Sequence, residues 1–223
     1  MAIYDNPKIV TNGLVLYLDA ANIRSYPKSG TAWTDLSGLG NNGTLTNGPT
    51  FDASNAGSIV FDGTNDSVLC TGSVTVTEAT FITWLRRNGN QIDYAGVVFS
   101  RGTKVTGMNF TTSNNIGYHW NGAANTFNWL TGLVPPDLTW CMCAISVSSS
   151  SATAYLCQST GITSATNVVS HGSSTIDSIR IADDSQGGRF FKGNIALASI
   201  YNRALSAAEI QQNFNATRKR FEI

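Results

Sequence analysis

Apolar residues in this chain come in short bursts separated by clusters of Gly, Asn, Ser and Thr. The bursts are "GLVLYLDA" (13–20), "GSIVFDG" (57–63), "DSVLC" (66–70), "ATFITWLRR" (79–87), "AGVVFS" (95–100) and "GMNFTT" (107–112). They continue with "IGYHWN" (116–121), "WCMCAISV" (140–147), "ATAYLCQS" (152–159), "SIRIAD" (178–183) and "GNIALASIYN" (193–202). Each is rich in Val, Ile, Thr and aromatic residues, and the period is two. Phe81, Thr83 and Leu85 face one way, and Ile82, Trp84 and Arg86 the other. Many short strands with turn signals between them predict an all-β sandwich or barrel.

One segment has a different period. In "LSAAEIQQNFNATRKRF" (205–221) Leu205, Ile210 and Phe214 fall at helical spacing. Ser206 followed by Glu209 forms a capping box, each side chain bonding the other's free backbone N–H. Arg218 and Lys219 suit the last turn of such a helix. The spacing predicts one short helix laid on the sandwich through Ile210 and Phe214.

The stretch "WTDLSGLGNNGTL" (33–45) has neither period. Asn and Gly accept positive φ at low cost, and Asp35 and Ser37 can bond nearby amides as Asx and ST turns do. Trp33, Leu36, Leu39 and Leu45 are apolar anchors that a free linker would not carry. A phosphate loop would need GK[ST] and a following helix. Ordered turns pinned by Trp33 are expected.

Composition narrows the function classes. The 223 residues are 42% hydrophobic and 13% charged, with 14 basic and 14 acidic side chains. That allows one large core, and it offers no net positive field for nucleic acid or an anionic membrane. No apolar run approaches the roughly 20 residues of a membrane span. "MAIYDNPKIV" lacks the basic and apolar regions of a signal peptide, so synthesis in a cytoplasm without export is expected. Cys70, Cys141, Cys143 and Cys157 have no zinc-like spacing and read as small buried thiols.

Side chains with chemistry are sparse. There is no G-x-S-x-G nucleophile motif. Of the two histidines, His171 precedes Gly172 and reads as a surface turn. Asp62 and Asp66 read as ties of a tight turn rather than a calcium loop. Asp183 and Asp184 open a Gly-rich loop and are the candidate calcium ligands. Calcium needs six or more oxygens, and pairing with Arg180, Arg189 or Lys192, or a solvated turn, is the favoured alternative. No other cofactor is expected. The densest aromatic and amide patch is "YHWNGAANTFNWLTG" (118–132). Tyr118, His119, Trp120, Asn121, Asn128 and Trp129 are the candidate ligand-binding residues, because sugar faces stack on rings and hydroxyls need planar donors and acceptors. Core packing of Trp120, Trp129 or both is the competing reading. An exposed tryptophan beside asparagines in a concave groove would favour recognition, and buried ones a scaffold.

Residues 13–51, 57–68 and 193–221 carry W-T-D-L-S-G with N-N-G-T-L, then F-D-G-T-N-D, then I-Y-N-R-A-L-S-A-A-E-I. These motifs resemble the LamG-like jelly roll of the concanavalin A-like lectin/glucanase superfamily, in the versions found in tailed-bacteriophage structural proteins. The resemblance implies two antiparallel sheets packed face to face. It implies a sandwich over 13–204, a C-terminal helix and tail over 205–223, and an edge segment or docking arm over 1–12. Some members bind carbohydrate and others are structural. Glucanases of this fold carry clustered acids on one strand, whereas this chain has only Glu78, Glu209 and Glu222 and no E-x-D-x-E. The implied function is therefore non-enzymatic. It is a virion surface protein, as capsid decoration or a fibre-like appendage, with other virion proteins as partners and homo-oligomers compatible with it. The alternative is a recognition domain for host surface polysaccharide.

Overall fold

In the computed structural model, which describes residues 7–223, the chain folds into seventeen strands. The first nine are β1 (Leu14–Asp19), β2 (Ala32–Trp33), β3 (Gly43–Thr46), β4 (Thr50–Asp52), β5 (Ser58–Asp62), β6 (Ser67–Cys70), β7 (Ser73–Val76), β8 (Ala79–Arg87) and β9 (Gly96–Arg101). The rest are β10 (Val105–Phe110), β11 (Ile116–His119), β12 (Cys141–Val147), β13 (Ala152–Gln158), β14 (Gly161–Asn167), β15 (Ser174–Asp177), β16 (Ile179–Ile181) and β17 (Lys192–Tyr201). Two α-helices accompany them, α1 (Ala124–Phe127) and α2 (Ala207–Thr217).

An eight-stranded sheet runs β14-β13-β12-β8-β17-β5-β4, with β1 beside the second half of β17. A seven-stranded sheet runs β11-β10-β9-β16-β6-β3-β2, and β7 pairs with β15 in a small ribbon. Every pairing is antiparallel. Of the sandwich or barrel expected from the strand pattern, the sandwich is the one observed, as the family resemblance implied. All eleven apolar bursts lie on strands. Strands β2, β3, β4, β7, β14 and β15 were not singled out by pattern, because they are short or polar. Strand β14 is an edge strand without a buried residue.

The alternation of β8 explains the layering. Phe81 and Leu85 join the core between the sheets, with Val98, Met108 and Tyr118 from the facing sheet. Ile82 and Trp84 point the other way and meet Ile210, Phe214 and Phe221. The Trp84 ring stacks on Phe214 at 5.6 Å and on Phe221 at 4.1 Å. The capping box of α2 is present, with Ser206 and Glu209 bonded reciprocally. Glu209 also pairs with Arg203 at 2.6 Å, which with the cap holds its carboxyl down at about 2. Arg218 and Lys219 fall beyond the last turn of α2, in a 3-10 turn over Arg218–Phe221, and Arg220 in the same turn reaches back to Asp19 at 2.6 Å and donates to the carbonyl of Gly57. It locks the tail to β1 in place of a role at the helix dipole.

Residues 33–45 are fixed by one carboxylate. Asp35 accepts from the backbone N–H groups of Tyr17, Ser37 and Asn41 and from the Ser37 hydroxyl. Trp33 is fully buried. Leu39, expected as an anchor, is 64% exposed. It sits at the turn tip between Gly38 and Gly40, both at positive φ, where the chain leads away from the core. Of the segment 1–12, residues 1–6 lie outside the described residues. Val10 is tied to α2 and β17, its N–H donating to Asn213 and its carbonyl accepting from Tyr201. The four cysteines are buried and unbridged.

Candidate functional site

Strand β11 divides the 118–132 patch. Tyr118 faces the core, and Trp120 just beyond the strand is also buried, its indole N–H donating to the Gly172 carbonyl at 2.7 Å. Tyr118 meets His171 at 2.9 Å. His171 is not a surface turn: it is buried, and its other ring nitrogen meets the Ser148 carbonyl at 2.8 Å. Burial pushes its pKa down. Trp129 is half-buried against the core, edge-on to Tyr118. Asn128 is exposed, and Asn121 donates to the Ser173 carbonyl. The two tryptophans therefore form no platform. The period of two that sends Tyr118 inward sends His119 to the outer face.

On that outer face His119, Gly107 and Phe99 lie in register across β11, β10 and β9. Gly107 has φ 146°, and a Cβ there would come within 2.7 Å of the Phe99 backbone. Its bare backbone lets the Phe99 and His119 rings meet edge to face at 5.1 Å. Phe127, at the end of α1, stacks on the imidazole at 5.1 Å. The short helix is held there by Thr126, whose hydroxyl accepts from the Trp120 N–H and donates to the Ala123 carbonyl. Tyr94 closes the aromatic wall edge-on to both rings and holds φ 65°, a conformation uncommon for a bulky residue.

Two arginines stand beside these rings. Asp184 is fully buried, and its Oδ2 accepts from Arg101 at 3.0 Å and Arg189 at 3.1 Å. The Arg189 guanidinium lies over the Tyr94 ring at 4.8 Å and also donates to Gln186. A cavity of about 310 Å³ is lined by Tyr94, Phe127 and His119, the two arginines, Gln186, Val105 and Gly122. Pockets for small ligands run from about 300 to 1,000 Å³. Neither ring nitrogen of His119 has a hydrogen-bond partner. Burial and the two guanidiniums push its pKa down to about 3, so the imidazole is neutral at physiological pH.

Of the six ligand candidates only His119 lines this cavity. Tyr94, Arg101, Phe127, Gln186 and Arg189 come from separate segments that no local motif joins. The one signal in the sequence was the Asp183–Asp184 pair flanked by Arg180 and Arg189. Both aspartates are engaged by arginine, Asp183 with Arg180 at 2.8 Å. Among the described residues no group of three His, Cys, Asp or Glu side chains is placed to hold a metal. Asp62 and Asp66 tie their turn, Asp62 accepting from the Thr64 N–H and Asp66 from the Asp62 N–H.

Solved structures share this fold. Domain 4 of the extracellular arabinanase AbnA from Geobacillus stearothermophilus, solved with arabinotriose, is 16% identical with a TM-score of 0.65, covering 91% of this chain and 98% of that one. Trypanosoma rangeli sialidase, in complex with the inhibitor DANA, is 13% identical with a TM-score of 0.64. The match covers 95% of this chain and 34% of the sialidase, so the chain spans about a third of that protein. The binding domain of Paraclostridial Mosquitocidal Protein 1 is 13% identical with a TM-score of 0.60, over 92% of this chain and 52% of that one. No curated protein matches the sequence. Residues 61–211 match the Laminin_G_3 family, described as concanavalin A-like lectin/glucanases superfamily. The match takes in the cavity, α1 and most of both sheets, and the chain belongs to that family.

Proposed function

We propose that this domain is a non-catalytic saccharide-recognition module and that the cavity beside His119 is its site. The observation that carries the reading is the cavity's lining, which combines the rings of Tyr94 and Phe127 with N–H donors and an imidazole that lacks partners. Sugars present apolar C–H faces and hydroxyls that both donate and accept, and this lining answers both. The fold shared with an arabinanase domain solved with arabinotriose supports the reading.

Glycoside hydrolysis uses two carboxyl groups across the scissile bond. The cavity lining contains no carboxylate, Asp184 is buried against two guanidiniums, and Glu209 is engaged by Arg203. The proposed role is therefore binding alone. A glycan array probed with the intact chain and with Tyr94→Ala tests it. The expected result is a defined set of bound saccharides that the variant loses. Binding unchanged in the variant, or no saccharide bound, would refute it.

A second reading concerns where the domain is carried. The phage-like wording of residues 13–51, 57–68 and 193–221 supports display on a virion surface, as capsid decoration or an appendage among other virion proteins. Immunogold on purified particles tests this. Gold over the head supports decoration, gold on the tail supports an attachment role, and unlabelled particles refute both.

A further inference from the structure

Asp184 has two side-chain oxygens. Oδ1 accepts from the backbone N–H of Gln186 at 2.7 Å, and Oδ2 serves both Arg101 and Arg189. One carboxylate thus faces two guanidiniums. The neighbouring Asp183 is taken by Arg180. Three cations in this corner share two anions.

The unused donors can be named. Arg101 directs Nε to the Asp184 carbonyl and Nη2 to its carboxylate, and Arg189 directs Nη1 to Asp184 and Gln186. Among the described residues, Nη1 of Arg101 and Nε and Nη2 of Arg189 meet no acceptor. Both side chains are about a quarter open, at 24% and 27% exposure. A guanidinium presents a rigid fork of N–H groups that matches a carboxylate.

His119 supplies the independent observation. It is only 6% exposed, lines the cavity, and has two ring nitrogens that are buried without partners, so a ligand reaches them only by displacing part of the lining. Phe99, Tyr94 and Phe127 hold the ring, so it has no protein partner to turn to. A neutral imidazole has one donor and one acceptor, and a hydroxyl satisfies either.

We propose that the cavity binds an acidic saccharide, with its carboxylate on the free N–H groups of Arg101 and Arg189, its ring against Tyr94 and Phe127, and a hydroxyl on His119. This rests on the saccharide-recognition reading and adds the class of sugar. Because His119 stays neutral down to about pH 3, the positive charge of the site comes from the arginines alone.

Calorimetric titration of the intact chain tests the proposal with matched probes. These are a galacturonic acid trisaccharide against its carboxyl-reduced counterpart, and sialyllactose against lactose, with a sulfated galactose trisaccharide as a third kind of anion. The expected result is that an acid binds at least about tenfold more tightly than its neutral match, the size of one charge-assisted hydrogen bond. Arg189→Gln removes that preference, Arg189→Lys restores part of it, and Tyr94→Ala weakens acid and neutral probes alike. Equal binding within each pair, a preference that survives Arg189→Gln, or tighter binding of the sulfated probe overturns the acidic assignment and leaves a saccharide site standing. Binding of no probe overturns both readings.

Discussion

The outer faces of the two sheets have opposite treatments. On the eight-stranded sheet, Ile82, Trp84 and Met142 are sealed by α2 and the tail. There the indole N–H of Trp84 reaches the Thr217 hydroxyl at 2.7 Å, and that of Trp140 reaches the Asn55 side-chain oxygen at 3.0 Å. On the seven-stranded sheet, the face around His119 borders a cavity, and the two His119 ring nitrogens lie buried in its lining without partners. A buried polar group without a partner costs about 1–3 kcal/mol. The sealed face satisfies its polar atoms and serves stability. The open face carries an uncompensated cost, and such costs concentrate where a ligand is to be met.

Four substitutions sharpen this contrast. Trp84→Ala removes the ring stacked on Phe214 and Phe221 and is expected to cost about 3–5 kcal/mol in urea unfolding. Arg220→Met unlocks the tail from Asp19 and the Gly57 carbonyl, with an expected loss of about 2–3 kcal/mol. Ser206→Ala deletes the helix cap and should cost about 1 kcal/mol, read as a small fall in Tm. None of the three touches the cavity, so saccharide binding by the folded fraction should be unchanged. A change in affinity would mean that the two faces are coupled.

His119→Phe is the test on the open face, and its sign is opposite. It keeps a ring among Phe99, Tyr94 and Phe127 while removing both unpartnered nitrogens, and it should stabilise by about 1 kcal/mol at neutral pH. The same variant should weaken saccharide binding. The pH dependence follows from linkage. In the unfolded chain His119 takes up a proton near its ordinary value of 6.5, and in the folded chain only near about 3. Between those values the unfolded state binds more protons, so stability falls as pH falls from about 6.5 to about 3. His171 is shifted the same way. Removing His119 should flatten that slope, leaving the part due to His171 and the carboxylates. An unchanged slope would contradict the burial of a neutral His119.

The sealed face was legible in the sequence because its signals are local. The period of two in 79–87 put Trp84 on one face, and the spacing of Ser206, Glu209, Ile210 and Phe214 gave a capped helix to cover it. The turn stretch at 33–45 was legible as ordered, although Asp35 as its hub was visible only as one Asx candidate. The cavity was mostly illegible. Tyr94, Arg101, Phe127 and Arg189 are brought together by strand pairing between distant segments, which no short motif encodes. Tyr118, His119 and Trp120 could be found as a cluster. Strand parity could have separated His119 from its neighbours, but which side faced the core depended on the partner strand. Polar strands such as β14 escaped because an edge strand without a buried face has no apolar burst to see.

The contrast between the faces is tested most directly by nitrogen-15 NMR of the intact chain, following the His119 ring nitrogens and the Trp84 indole during titration with the galacturonic acid trisaccharide. The His119 ring resonances are expected to move as a hydroxyl fills their missing hydrogen bond, while the Trp84 indole stays still beneath α2. Movement at Trp84 with His119 unmoved would place the ligand on the covered face and rule out a site beside His119.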